Sequence, residues 1–238
     1  LIAFSDGVTQ AGLGRVGNKF GWRREGALEF IRGLVAADPA ISARELSQSI
    51  VTAARRFNHD GKCHDDTSCM VVYLRRPRWL RLLSGPPFHE KSDPDFARLA
   101  QTAPGRVIIA GGTTANLVAR ELKRPVEVDL KLALKAGKLP PPAKMQGIDL
   151  VCEGILTLTE TTQRLDSGNM AEIPMAAQRM IDLLLDSDVI EMIIGTRVNE
   201  AHQDPSLPMD LDIRRNMMRR LKDILEHKYR KTVITRYF

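Results

Sequence analysis

Short apolar runs alternate with helical spacings along the second half of the chain. The apolar runs are rich in Val and Ile and stop at glycine, proline or acidic residues, which is typical of buried strands. This alternation predicts an α/β fold class, with a mainly parallel sheet and helices on its faces. The predicted strands are Arg106–Ala110, Val126–Leu130, Ile148–Val151, Val189–Ile194 and Thr232–Phe238, and the predicted helices include Phe96–Thr102, Glu172–Leu185 and Leu211–Tyr229.

The first part of the chain follows a different order: strand, helix, helix, strand. An apolar run over Leu1–Phe4 ends in a turn, and the glycine-rich residues 8–21 predict a loop. Apolar spacing predicts a helix over Trp22–Ala37, and Ser42 with Glu45 is a capping-box signature that begins a second helix. The last segment is a β-type run from Cys69 to Leu74.

Glycine and proline are concentrated between residues 84 and 94, which favours a connection over a regular element. We therefore predict three regions. Residues 1–80 form a first domain, residues 81–95 form a linker, and residues 96–238 form the α/β domain.

The composition excludes several classes of protein. Hydrophobic residues make up 43% and charged residues 27% of the chain, as in ordinary globular proteins. No apolar run approaches the roughly 20 residues that span a bilayer, so we expect no membrane partner. Three cysteines are too few for a disulfide framework, and we expect a cytoplasmic protein. Because the chain opens inside a predicted strand and without Met, we also expect that part of the protein precedes Leu1.

Two acidic positions stand at the ends of predicted strands in the first domain. Asp6 follows the first strand, and Asp65 with Asp66 precedes the second. Carboxylate oxygens at such positions suit a hard divalent cation, Mg²⁺ or Mn²⁺. Aspartates also end loops and cap turns for purely local reasons, so each position taken alone favours the simpler interpretation.

Taken together, these segments resemble a known family. The run Ile2-Ala3-Phe4-Ser5-Asp6-Gly7-Val8 and the run Asp65-Asp66-Thr67-Ser68 followed by Met70-Val71-Val72 resemble the last two motifs of the metal-dependent type 2C protein phosphatases. The bacterial SpoIIE-like branch is the most similar. Segments Leu83–Pro87, Ile109–Asn116 and Gly147–Gly154 are similar to a C-terminal extension of one SpoIIE-like subgroup.

The resemblance implies a fold, an activity and a set of ligands. The first domain would be an incomplete part of an α-β-β-α sandwich, and the protein would dephosphorylate serine or threonine on a regulatory protein. Asp6 and Asp65 would be ligands of Mg²⁺ or Mn²⁺, and Asp66 would orient the neighbouring ligand or a water. The first acidic motif of the family lies upstream of Leu1, so we expect this chain alone to be inactive and assign no catalytic residue.

A second candidate site lies in the α/β domain. Gly111-Gly112-Thr113-Thr114 follows a buried strand and precedes a helix, so its N–H groups and hydroxyls could bind an anion. Asp129 and Glu153, at strand ends on the same predicted edge of the sheet, could join it. A tight turn with Thr113 as the helix N-cap explains the same residues. The alternative function is thus a non-catalytic regulatory module that binds phosphate or a nucleotide.

Two further interpretations receive less support. The spacing of the residues His59, Cys63, His64 and Cys69 matches no common zinc motif. The segment Arg214–Arg236 has nine Lys and Arg against two acidic residues, a net charge of +7 that exceeds the +6 of the whole chain. Its apolar positions predict an ordinary amphipathic helix with a solvated basic face. Because aromatic residues are not interleaved with these charges, we do not expect nucleic acid as a partner.

Overall fold

The chain folds into two units, Leu1–Arg76 and Pro77–Phe238. The computed structural model describes residues 1–14, 19–58, 61–128, 139–197 and 209–238. The prediction of an α/β fold class is confirmed, because helices surround a mixed and mostly parallel six-stranded sheet.

The first unit combines a two-stranded antiparallel sheet with helices. Its elements are β1 (Ile2–Phe4), α1 (Asp6–Thr9), α2 (Arg23–Ala37), α3 (Ala43–Phe57) and β2 (Cys69–Val71). Helix α3 begins at the predicted capping box, in which the Ser42 hydroxyl accepts from the Glu45 N–H and the Glu45 side chain accepts from the Ser42 N–H. Its buried face, including Ile50, packs with Trp22 and Val8 in the core of this unit.

The second unit is a doubly wound sheet. Its elements are β3 (Trp79–Ser84), α4 (Asp93–Gln101), β4 (Arg106–Ala110), α5 (Gly112–Leu122), β5 (Ala143–Met145), β6 (Ile148–Cys152), α6 (Ile155–Ser167), α7 (Met175–Asp186), β7 (Val189–Ile194), α8 (Met209–His227) and β8 (Thr232–Tyr237). The strand order is β5-β6-β4-β3-β7-β8, and only β5 is antiparallel to its neighbour. The chain moves outward from β3 through β4 to β6, then returns to β7 on the other side of β3. In such sheets the carboxyl ends of the strands at this reversal are the usual ligand site.

Apolar side chains cover both faces of the sheet. Leu80 and Leu82 of β3 point to the side of α6, α7 and α8, whereas Leu83 points to the side of α4 and α5. A strand buried on both faces needs a nearly continuous apolar sequence, which explains the Val- and Ile-rich runs.

The predicted linker over residues 81–95 is wrong. Strand β3 occupies Trp79–Ser84 at the centre of the sheet, and a 3₁₀ turn over Glu90–Ser92 leads into α4. The prediction rested on the glycine and prolines after residue 84, and it took in the end of a mostly apolar run that contains one charged residue, Arg81. In the structure its guanidinium is buried and donates to Glu191, which lies opposite on β7.

Three smaller expectations need correction or lie outside the described residues. The predicted loop over residues 8–21 begins inside α1, because the turn after β1 is helical. The predicted strand Val126–Leu130 is limited to a single bridge between Glu127 and Lys144, and residues 129–130 lie outside the described residues. The run predicted from Cys69 to Leu74 is regular only to Val71.

Candidate functional site

The two acidic segments of the first unit are neighbours in space. Strands β1 and β2 pair antiparallel, with Phe4 opposite Cys69. The residues that follow β1 therefore lie beside those that precede β2. The pairing of these two short strands places the acidic segments side by side.

Ser5 joins the two segments through three hydrogen bonds. Its hydroxyl donates to the Asp66 carbonyl oxygen at 2.6 Å and accepts from the Ser68 N–H at 2.9 Å. Its own N–H donates to the Ser68 carbonyl oxygen at 3.1 Å. These bonds fix the main chain of one segment against the other.

Gly7 allows this close approach. A Cβ at position 7 would lie 2.7 Å from the Asp66 carbonyl oxygen and 3.0 Å from the Thr67 hydroxyl oxygen. Any larger residue would push the two segments apart. Ser5 and Gly7 of the Ser-Asp-Gly run thus have structural roles, whereas the Asp6 carboxylate between them is exposed.

The carboxylates themselves make local contacts. Asp6 accepts from the Gln10 side-chain amide at 3.3 Å, and Asp65 accepts from the Asp66 N–H at 2.7 Å. Asp6, Asp65 and Asp66 are all exposed. These are the contacts of turn aspartates, and they leave carboxylate oxygens facing solvent.

The donor set suits a divalent cation only in part. Within the described residues, no group of three or more His, Cys, Asp or Glu side chains could hold a metal ion. Mg²⁺ commonly binds proteins through one or two carboxylates and several waters, so Asp6 with Asp65 could hold such an ion. A shared cation site at these residues stays a prediction. The zinc alternative gains no support, and its His59 lies outside the described residues.

The segment Gly111–Thr114 begins helix α5 at the carboxyl edge of the large sheet. Gly111, not Thr113, is the N-cap, and no side chain caps this helix. Gly112 and Thr113 are exposed, and their N–H groups have no acceptor among the described residues. The Thr114 hydroxyl is buried and accepts from the Gly85 N–H at 2.9 Å. Two N–H groups thus remain for an anion, whereas Thr114 has a structural role.

The acidic residues predicted to join this site do not strengthen it. The Glu153 carboxylate accepts from the N–H groups of Leu156 and Thr157, so it caps helix α6. A negative charge there would oppose a bound anion. Asp129 lies outside the described residues.

Sequence reasoning missed an arginine cluster at the same edge of the sheet. Arg197, after β7, donates to the Phe88 carbonyl oxygen and to the carboxylate of Asp93, which also accepts from Arg120 at 2.5 Å. Hydrogen bonds to Glu121 and Asp93 raise the pKa of Arg120. Asp93 is only 2% exposed. An Asp-Pro helix start was visible in the sequence, but its partners are distant in the chain.

The cysteines do not form a nucleophilic site. Burial raises the pKa of the Cys152 thiol to about 12, so the thiol is protonated at neutral pH. Burial also raises the pKa of Cys69, and Cys63 is exposed. A thiolate nucleophile requires the opposite shift.

The basic helix α8 has an ordinary buried face and partly neutralised charges. Met218, Leu221 and Leu225 are buried against the sheet. Arg220 pairs with Asp166 at 2.7 Å, and the Arg215 guanidinium lies 5.9 Å from the centre of the Tyr237 ring. Among the described residues, no helix has both the length and the apolar character needed to cross a membrane.

Comparison with known proteins gives no relative. No protein-family model, no curated protein and no solved structure matches the chain. The resemblance to type 2C phosphatases therefore rests on the motifs and on the positions of their residues.

Proposed function

We propose that the first unit carries part of the metal site of a type 2C-like serine/threonine protein phosphatase, of the SpoIIE-like branch. The observation that supports this proposal is the contact between the two acidic segments, through the Ser5 hydroxyl and the close packing of Gly7 on Asp66. Segments 61 to 63 residues apart in the chain meet with their aspartates at the same end of the β1–β2 pair.

In this proposal Asp6 and Asp65 hold a Mg²⁺ or Mn²⁺ ion, with water completing its coordination. The ion would supply positive charge to a phosphoryl group and lower the pKa of a bound water. Ser5 positions Asp66 and Ser68, and thereby the main chain that carries Asp65. The substrate would be a phosphorylated regulatory protein.

Metal binding provides the direct test. Titration of Mn²⁺, followed by the electron paramagnetic resonance signal of the free ion, should show binding that Asp6→Asn and Asp65→Asn each weaken at least tenfold. Asp66→Asn should have a smaller effect, because Asp66 is assigned an orienting role. Asp38→Asn is the matched control, since Asp38 is an exposed aspartate of the same unit that accepts from the Ala40 N–H.

Activity is tested on the longest form of the protein that the gene encodes. That form should hydrolyse p-nitrophenyl phosphate with Mn²⁺, and Asp6→Asn or Asp65→Asn should abolish the reaction. Hydrolysis that survives both substitutions would refute the proposal, and so would Mn²⁺ binding that neither changes.

The second candidate function is binding of a phosphorylated small ligand at the start of α5. It is favoured by the exposed N–H groups of Gly112 and Thr113, next to the point where the strand order reverses. A Cβ at Gly112 would meet no atom within 4 Å. Gly112→Asp therefore places a negative charge at this site without a clash, and Gly112→Ala is its neutral control.

A thermal-shift measurement with inorganic phosphate and with ATP distinguishes the outcomes. The melting temperature should rise with at least one anion in the wild type and in Gly112→Ala, but not in Gly112→Asp. The absence of a shift with either anion would contradict this second function and would leave the phosphatase proposal unaffected.

A further inference from the structure

The two edges of the six-stranded sheet differ. At one edge, β5 has three residues, an irregular register, and a neighbouring bridge between Glu127 and Lys144. At the other edge, β8 runs regularly along β7 for six residues, from Thr232 opposite Val189 to Tyr237 opposite Ile194. One edge is thus short and irregular, whereas the other is longer and in continuous register with its neighbour.

Alternate residues of β8 present their main-chain groups outward. The N–H groups of Thr232 and Phe238 donate to Asp188 and Ile194, at the two ends of the pairing with β7. The main-chain N–H and C=O groups of the even-numbered residues therefore point toward β7, and those of the odd-numbered residues point away from it. Within the part of the chain that the structure describes, the outward N–H and C=O groups of Val233, Thr235 and Tyr237 have no main-chain partner.

The sequence of this strand lacks the usual protection of an edge. It reads Thr-Val-Ile-Thr-Arg-Tyr, with no proline, no bulge and one charged residue. That charge is already engaged, because the Arg236 guanidinium donates to the buried Glu191 carboxylate at 3.0 Å. Ile234 and Tyr237 are 36% and 54% exposed. The edge therefore combines unpaired main-chain groups with exposed apolar side chains.

We propose that β8 is a dimerisation edge, which pairs antiparallel with β8 of a second copy of this chain. Thr235 lies on the twofold axis, opposite Thr235 of the second copy. Val233 then lies opposite Tyr237 of the second copy, and Tyr237 lies opposite its Val233. Each of these facing pairs can exchange two N–H···O bonds, and the two sheets become one.

The side chains in this register are self-complementary. Facing threonines, and a β-branched residue facing an aromatic one, are favourable cross-strand pairs. Arg236 faces Ile234 of the second copy, so no two like charges are directly opposite. This register pairs all the outward residues of the strand, whereas a shift by two residues would leave Tyr237 or Val233 without a partner. These features favour a second copy over an unrelated extended peptide.

Six residues bury little area compared with the roughly 1,000 Å² of a stable interface. The expected state is therefore a concentration-dependent equilibrium of monomer and dimer. The pairing requires neither a metal ion nor an anionic ligand, so it is independent of the proposed function.

Sedimentation velocity of the full chain over a wide concentration range tests the pairing. The wild type should dimerise reversibly, and Thr235→Lys should weaken the dimer at least tenfold, because two lysines would face each other at the axis. Thr232→Lys is the control: the same substitution on the same strand, at a position far from the axis whose N–H faces β7. A wild type that stays monomeric throughout, or a dimer that Thr235→Lys leaves unchanged, would overturn the proposal.

Cysteine cross-linking tests the register and does not depend on how Thr235→Lys folds. In a Cys63→Ser background, Thr235→Cys places two thiols on residues whose Cα atoms are about 5.5 Å apart, within disulfide range. Ile234→Cys places them roughly 8 Å apart, beyond that range, because the two residues are offset by two positions. Mild oxidation should give a covalent dimer with Thr235→Cys and not with Ile234→Cys. Equal cross-linking of the two variants, or none in either, would contradict this register.

Discussion

The first unit and the second unit bury their sheets to very different degrees. In the first unit, a two-stranded sheet of three-residue strands packs on helices, and Ala3 and Met70 on it are exposed. In the second unit, helices cover both faces of six strands, and β3, β4 and β7 are almost wholly buried. A two-stranded sheet is marginal by itself, so the first unit depends on individual polar and packing contacts. The stability of the second unit depends instead on its buried apolar core.

The largest effect is expected at the buried ion pair of the second unit. Glu191 and Arg81 are 3% and 8% exposed, and their side chains meet at 2.6 Å. Glu191→Ala would leave the buried Arg81 guanidinium with the Leu99 carbonyl oxygen but without a carboxylate, and should lower the free energy of unfolding by about 3–5 kcal/mol. Urea unfolding in a Trp22→Phe background reports on this unit through Trp79.

The double variant Arg81→Met with Glu191→Leu is the control, because it replaces both buried charges with apolar side chains and leaves only the exposed Arg236 without its carboxylate partner. Its free energy of unfolding should be close to that of the parent protein. If the double variant were as unstable as Glu191→Ala, the loss would come from packing rather than from an unpaired charge.

A smaller loss of stability is expected from a substitution where the acidic segments of the first unit meet. Gly7→Ala would force a Cβ within 2.7 Å of the Asp66 carbonyl oxygen and should cost about 1–3 kcal/mol. Gly33→Ala in α2 is the control, because its Cβ would meet no atom within 4 Å and should stabilise the helix by about 0.5–1 kcal/mol. Urea unfolding in a Trp79→Phe background follows this unit through Trp22. An equal decrease in the free energy of unfolding of the two variants would show that the close contact with Asp66 does not matter for stability.

The capping box of α3 should contribute less to the stability of the first unit than the packing at Gly7 does. Ser42→Ala removes the acceptor for the Glu45 N–H and should cost about 1 kcal/mol, measured by the same Trp22 signal. Ser47→Ala, which removes a hydroxyl that donates to Arg44 inside the same helix, should change stability by less than about 0.5 kcal/mol. A greater loss for Ser47→Ala would contradict the role of the cap.

The smallest effect at neutral pH concerns Cys152, because its contribution changes only at high pH. Its pKa of about 12 in the folded protein exceeds the value of roughly 8.5 of an unfolded cysteine. Ionisation then favours the unfolded chain, so this contribution to stability is full below about pH 8.5 and is lost as pH rises toward 12. Unfolding of the second unit between pH 8 and pH 10 should show a pH dependence that becomes weaker in Cys152→Ala. An unchanged slope would refute the assignment to this thiol.

The sequence predicted the elements that form through interactions between residues close together in the chain. The capping box of Ser42 and Glu45 begins α3 as predicted, and the apolar runs became β4, β6, β7 and β8. The proximity of the two acidic segments, which the family resemblance implied, agrees with their places at the same end of the β1–β2 pair. A cap involves residues a few positions apart, and a buried strand needs only an apolar run. The order of apolar and polar residues along the chain therefore indicates both.

Other features depended on residues far apart in the chain. The glycine and prolines after residue 84 indicated a connection and concealed the end of β3, in which Arg81 is buried against a partner, Glu191, that lies 110 residues away. Thr113 looked like an N-cap, but the position at which β4 ends made Gly111 the cap. Asp93 could be seen as a helix start, whereas its two arginine partners could not.

The sequence alone determined the fold class, most of the helices and strands, and the candidate ligands Asp6 and Asp65. Tertiary structure decided the strand order, the burial of Arg81, the contact of Ser5 with Asp66 and Ser68, and the exposure of β8 at an edge. The reason is that propensity and periodicity act over a few residues, whereas strand order and charge pairing depend on which distant segments meet.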